Sequence, residues 1–344
     1  MTLSRRALAL SLGAVATGVA SRGARADMAA LEAAARKEGS LTWYVAQVNG
    51  PTAEAFGKRF SQRYPGVQVS VIRTTGQVAY ERLQQEMKNS APQCDVFSST
   101  DIAQYAVLHA RKALANYTPR NLGDIAPAYQ SSIEPGFYFP TTGSLHVLVH
   151  HSEKLVQPQA PTKWTDLLDP KDRGKIGIAH PAFSGYFGQW VLAIRHMYGW
   201  AYFEKLATNR PRIGRSGNDP ITLVNAGECL IGTAPASTAL QNIARGNPIS
   251  IVYPEDGTLL SVGPSAILAN APHPNAARLF LEWLLSAEYA EACAEFYQEP
   301  VRADAPPMRG GKRLSEIKTI NVSAVEIAKN LPEAVEQWRD TFGN

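Results

Sequence analysis

The sequence is poor in the residues that would build a disulfide frame, a metal centre or a membrane span. Among 344 residues there are three cysteines, Cys94, Cys229 and Cys293. They are odd in number and far apart, which excludes a disulfide framework and the paired spacing of a zinc site. Three small buried apolar residues are the plain reading. No apolar run is long enough to cross a bilayer, which takes about 20 residues. There is no Gly-x-Ser-x-Gly elbow, no His-Glu-x-x-His and no convincing carboxylate pair, so a periplasmic hydrolase would lack visible machinery. An excess of charge is missing too. Four of the 34 basic residues (Arg5, Arg6, Arg22 and Arg25) precede residue 27, and none of the 30 acidic ones does. The remaining chain balances at 30 against 30, so the overall pI near 8.9 misleads about partners. No basic field favours nucleic acid, and no Lys/Arg run favours a lipid surface.

What is present begins with an export signal over residues 1–26. Arg5 and Arg6 form its charged start, Ala7 to Ala20 is a short apolar or small-residue run, and Ala24-Arg25-Ala26 is a small-x-small cleavage site. Ser4-Arg5-Arg6 resembles the start of a twin-arginine signal, and an ordinary secretory signal fits the same residues. The expected mature chain starts at Asp27. Its length exceeds what one hydrophobic core usually supports, so two lobes are expected.

The first half alternates strands and helices. The spacing predicts strands over 40–47, 67–73 and 94–98, with Val67, Val69 and Val71 in alternation, and helices over 52–64, 79–89 and 101–112. Such alternation implies right-handed crossovers and a largely parallel sheet in an α/β fold. Residues 137–151 are β-rich but interrupted by Pro140 and Gly143, as a strand pair crossing between lobes would be. Strands are expected over 175–179, 229–233, 249–253 and 262–270. A short helix is expected at 164–168, and long helices over 186–206 and 274–296. There is no internal repeat and no low-complexity segment.

Several segments carry a family likeness: YPGVQVSVIRTTGQ (64–77), WTDLLDPKDRGKIGIAHP (164–181), VYPEDGT (252–258), APHPNAARLFLEWLLS (271–286), QEPVRAD (298–304) and the closing EQWRDTFGN (336–344). On these the chain resembles the periplasmic solute-binding proteins of iron(III)-type ABC importers, a branch of the type II binding-protein fold. The resemblance implies a two-lobed clamshell, each lobe a mainly parallel sheet flanked by helices. The first lobe would comprise 27–142 with 262–308, the second 143–261, and residues 309–344 would form C-terminal helices packed on both. It implies a monomeric periplasmic protein with no enzymatic activity and no cofactor, partnered by a small ligand and a membrane ABC permease. Delivery to a membrane sensor is an alternative with the same fold.

In open α/β sheets ligands bind beyond the carboxyl ends of strands, where helix N-termini suit anions. Five hydroxyl-, amide- and glycine-rich turns occupy such positions: 47–50, 74–77, 98–101, 182–186 and 232–235. They supply the candidate residues Asn49, Thr75, Gln77, Ser98, Ser99, Thr100, Ser184, Gly185, Tyr186 and Thr233. Thr142 and Ser144 on the crossing strand and Asp256 in the 254–257 turn complete the set. The same residue types are ordinary helix caps. The expected ligand is a small anion of phosphate, phosphonate or carboxylate type. Ferric iron or a ferric chelate is the alternative. Ferric-ion members carry adjacent tyrosines just after the short second-lobe strand, whereas 231–238 here holds none, and hard Fe(III) needs anionic oxygen ligands. His150 and His151, adjacent on a strand, point to opposite faces and read as a solvated strand end. His180 reads as a surface or supporting residue, Arg73 as an anion donor or a lobe-edge residue. Trp43, Tyr44, Trp190 and Trp200 read as core.

Overall fold

The computed structural model describes residues 27–343 apart from Gln157, and the expected export signal lies outside the described residues. A helix over residues 27–38 (α1) leads into β1 (Ser40–Val45), α2 (Gly50–Arg63), β2 (Gln68–Arg73), α3 (Gly76–Lys88), β3 (Val96–Ser98) and α4 (Ala103–Ala110). β1 pairs in parallel with β2 on one side and β3 on the other. The alternating valines do what their period requires. Val69 and Val71 pack under Gly57 of α2, where a Cβ would stand 3.2 Å from Val71. Asn49 caps α2 and Pro51 sits in its first turn; Tyr64-Pro65-Gly66 ends it.

The chain then leaves the first lobe on β4 (Tyr138–His151), 14 residues long and buried throughout. The interruption expected at Pro140 and Gly143 does not occur. A register shift between Pro140 and Thr142 absorbs the proline, and the strand runs on. β4 also buries His150 and His151, which are 7% and 3% exposed, so the solvated strand end is corrected: β7 and β8 cover them from both edges. The second lobe follows with β5 (Ile176–Ala179), α5 (Gly185–Tyr198), α6 (Ala201–Thr208), β6 (Arg212–Gly214), α7 (Asp219–Asn225), β7 (Ile231–Pro235), α8 (Ala236–Ala244) and β8 (Ile249–Val252). The single long helix expected over 186–206 is two, because Gly199 takes φ +72° and caps α5. β9 (Thr258–Ile267) returns to the first lobe, antiparallel to β4 from Tyr138↔Ala266 to His146↔Leu259. The helix expected over 274–296 also divides, into α9 (Pro274–Leu284) and α10 (Ala287–Glu295), where the Ser286 hydroxyl caps the second.

The strand order is β2-β1-β3-β9-β4-β7-β5-β6, with β8 added on β4 and β10 (Thr319–Ile320) on β9. Parallel strands form both ends of this order, and the antiparallel β4–β9 pair joins them. Each lobe has its own aromatic core. In the first, Trp43 meets Phe280 edge-on at 5.1 Å and Phe60 meets Trp283 at 5.7 Å. In the second, Phe187 stacks on Trp190 at 4.8 Å, and Trp338 meets both Phe187 and Phe203 at 5.7 Å. Trp338 belongs to the C-terminal helix α11 (Ala324–Phe342), which lies on α5 and α6 and also meets α4. All three cysteines are free and buried.

Candidate ligand cleft between the lobes

A cleft of about 370 Å³ opens where the two lobes face each other. Its first-lobe wall is made by the residues after β1, β2 and β3: Gln47 to Asn49, Arg73, Thr75, Gly76 and Thr100. Its second-lobe wall is made by Phe183, Ser184 and Tyr186, by Arg215 to Asn218, and by Pro235, Ser237 and Thr238. Gly143, Ser144 and Gln298 close the back. The N-termini of α2, α3, α5, α7 and α8 therefore converge on one space, and each brings a partial positive charge to it.

Six of the thirteen residues expected from sequence line this space: Asn49, Thr75, Thr100, Ser144, Ser184 and Tyr186. Capping and ligand contact are not rivals for two of them. The Ser184 hydroxyl accepts the Phe187 N–H at 3.3 Å and the Thr75 hydroxyl accepts the Val78 N–H at 3.4 Å, yet each keeps its own O–H to donate. Asn49 is more committed. Its oxygen accepts from the Thr52 N–H, and its amide donates across the cleft mouth to Gln241 Oε1 at 3.0 Å. Gly185 does not line the cleft, but a Cβ on it would stand 2.9 Å from the Thr100 carbonyl oxygen. The missing side chain lets the α5 N-terminus close on the first lobe, where the Gln189 amide also donates to that carbonyl at 3.2 Å.

The structure places the other expected residues elsewhere. Ser99 is fully buried beneath the floor, where its hydroxyl donates to Gln104 Oε1 at 2.7 Å. Ser98 is fully buried too; its hydroxyl accepts from Trp43 Nε1 and pairs with the Ser265 hydroxyl. Thr142 turns its hydroxyl to the Gly143 and Glu299 carbonyls behind the hinge. Thr233 is buried in β7, and its hydroxyl has no hydrogen-bond partner. Gln77 points out along α3 to Glu81. Asp256 accepts from the Trp164 N–H and the Tyr198 hydroxyl, holding the second-lobe edge rather than the cleft. His180 is buried; its Nδ1 accepts the Ala182 N–H, and its ring lies 5.1 Å from that of Phe183.

Sequence reasoning passed over the whole Arg215–Asn218 turn. The signal was there, since Ser216-Gly217-Asn218-Asp219-Pro220 has the composition of a turn leading into a helix. Arg215 stacks over the Phe183 ring at 5.6 Å, and Arg73 donates through Nε to the Val48 carbonyl at 3.0 Å. Among the described residues neither arginine is paired with a carboxylate, and no Asp or Glu lines the cleft. Asp101 and Asp219 lie nearby. Their carboxylates accept the N–H groups of Ala103 and Ser216. At the floor, Tyr186 is 8% exposed and its hydroxyl has no partner. Burial pushes its titration far above the usual phenol range, so it stays a neutral donor. Gly263 on β9 makes room for that hydroxyl, which would lie 2.8 Å from a Cβ there.

Comparison with known proteins agrees with this architecture. Residues 92–318 match the model of the bacterial extracellular solute-binding protein family, and the chain belongs to that family. An uncharacterised protein of Haemophilus influenzae is 23% identical over 85% of this chain and 83% of its own length. A putative 2-aminoethylphosphonate-binding periplasmic protein of Salmonella typhimurium is 27% identical over 78% and 77%. Among solved structures, the periplasmic binding protein AfuA of Actinobacillus pleuropneumoniae, with fructose-6-phosphate bound, superposes with a TM-score of 0.79 at 24% identity, covering 89% of this chain and 99% of its own. Iron-bound HitA of Pseudomonas aeruginosa gives 0.75 at 22% identity, covering 88% and 99%. The fold is the type II periplasmic binding fold, as the iron(III)-type resemblance implied. The protein is the solute-binding component of an ABC importer, working in the periplasm with a small ligand and a membrane permease. Among the described residues no helix is long and apolar enough to cross a membrane.

Proposed function

We propose that the cleft captures a small anion of phosphate, phosphonate or carboxylate type, and that closure about the β4–β9 pair readies it for the permease. The observation that carries this reading is the pair of arginines, Arg73 from the first lobe and Arg215 from the second. Both face a space with no lining carboxylate and with helix N-termini on each side. A ligand that touches both lobes at once favours the closed state by its differential affinity. Ferric iron fits the donors less well. Tyr186 is the one tyrosine among the lining residues, and Ile231 to Thr238 brings no phenolate or carboxylate. The protein acts as a monomer, without catalysis, on a division near Thr141–Ser144 and Leu259–Val262, and its Arg5-Arg6 signal directs export by the twin-arginine route.

The test is a thermal-shift screen of the purified mature chain against phosphates, phosphonates, carboxylates, ferric chelates and polyamines. An anion at about 100 times its Kd stabilises the fold by about 2.7 kcal/mol. A melting rise with ferric ion or a polyamine, and none with any anion, overturns the reading. Light scattering that shows a dimer removes the monomer, and turnover of the bound ligand removes the non-enzymatic role.

A further inference from the structure

The charge on the cleft wall has one sign. Arg73 and Arg215 bring two positive charges from opposite lobes, and no carboxylate lines the wall to offset them. We propose that the cleft selects a dianionic phosphomonoester or phosphonate carried on a neutral, hydroxyl-bearing body, and that it rejects ligands bearing an ammonium group. The inference rests on the anion reading above and narrows it.

Three observations support the narrowing. The first is charge balance. A single carboxylate satisfies one guanidinium, whereas a phosphate monoester carries a charge of about −1.5 to −2 at pH 7 and offers three acceptor oxygens. The second concerns the amine. An ammonium brought into this wall would lose water without gaining a counter-charge, and it would face two guanidinium groups. An aromatic face is the other common receptor for a cation. One face of the exposed Phe183 ring is taken by Arg215 at 5.6 Å.

The third is size and chemistry together. At about 370 Å³ the cleft falls in the size range of sites that take organic small molecules, larger than the five heavy atoms of inorganic phosphate. The wall beyond the arginines is neutral and both donates and accepts, through Ser144, Asn218, Ser237 and Gln298. Beneath it lies the unpartnered hydroxyl of Tyr186, nine-tenths buried. Hydroxyl groups on the ligand body match such a surface, and an apolar tail does not.

The experiment is calorimetry on the mature chain with a hexose 6-phosphate, glycerol 3-phosphate, inorganic phosphate, citrate and 2-aminoethylphosphonate. The two phosphomonoesters should bind at least tenfold tighter than inorganic phosphate and a hundredfold tighter than 2-aminoethylphosphonate. Arg215→Gln should weaken the better phosphomonoester by ten- to a hundredfold while its melting temperature stays near that of the parent. Ser216→Asp, which places a carboxylate on the wall, should narrow the gap between 2-aminoethylphosphonate and the phosphomonoesters by at least tenfold. If 2-aminoethylphosphonate or citrate binds tightest, or if Arg215→Gln binds unchanged, this inference fails and the anion reading stands. If no anion binds and a polyamine or ferric ion does, both fail.

Discussion

The two walls of the cleft use their polar side chains differently. On the first-lobe wall Gln47 gives its amide to the Ser99 and Pro264 carbonyls and accepts from Thr141, and Asn49 is engaged at both ends. Ser99, just below, is engaged as donor and acceptor. On the second-lobe wall the Ser184 and Ser216 hydroxyls accept a backbone N–H and keep a proton to give, and Arg215 rests only on an aromatic ring. The first wall is thus mostly a frame whose groups hold one another in place, with the Thr75 hydroxyl proton and the Arg73 charge left over. The second keeps the Ser184 and Ser216 hydroxyl protons and the Arg215 charge for a guest, while its Thr238 hydroxyl is given to Asn218 Oδ1. Discrimination between ligands should therefore reside mainly in the second lobe, and mutations should separate the two walls.

The largest effect tests what stands behind the second wall. Trp338 is fully buried among Phe187, Phe203 and Phe342. Trp338→Ala should lower stability by about 3–5 kcal/mol in a denaturant titration. A loss under 1 kcal/mol would mean that α11 does not support this wall. The next effect contrasts two serines. Ser184→Ala should weaken the best ligand found in the screen by about ten- to a hundredfold and cost about 1 kcal/mol of stability as a lost cap. Ser99→Ala should change stability with little change in affinity, because its partners are Gln104 and Asp101. Equal affinity losses in the two variants would erase the distinction between the walls.

A third contrast is in pH. Burial pushes Glu299, behind the hinge, up to about 8, and pushes His146, in the second-lobe core, down to about 3. The native Glu299 holds a proton that the unfolded chain releases near the ordinary carboxyl range. Its contribution is complete below that range and is lost as pH rises to about 8. Native His146 is neutral, so its contribution has the opposite sign. It is complete above about 6.5 and is lost as pH falls toward 3. Glu299→Gln should flatten the fall in melting temperature between about pH 5 and 8, whereas His146→Phe should flatten the loss on the acid side. A parent slope that neither variant alters would place the titration elsewhere. The smallest effect is at Tyr129, whose buried hydroxyl lacks a partner beside Gly143. Tyr129→Phe should stabilise the fold by up to about 1 kcal/mol, read from the denaturation midpoint.

The same contrast governed how much the sequence revealed. In the first lobe, strands of clear period end in short polar turns, so all three wall turns were found and Thr75 and Thr100 lie where they were expected. Their depth was not legible. Whether Ser99 or Thr100 faces the cleft depends on which side of the sheet plane the chain leaves β3, and both are hydroxyl residues. In the second lobe β6 is three residues long, too short to show a period, and the turn after it carries Arg215. Breaks inside helices were hidden because Gly199 and Ser286 interrupt otherwise continuous amphipathic patterns. Pro140 misled in the other direction, since the long pairing of β4 with β9 outweighs one missing donor.

That pairing has one more consequence. The lobes are joined by a two-stranded ribbon rather than by slack chain, so the second wall is held at a high local concentration around any ligand already seated on the first. Little chain entropy remains to be lost when the walls meet, because the connecting residues are already ordered. Two faces that would each bind a small solute weakly can in this way act as one tight receptor.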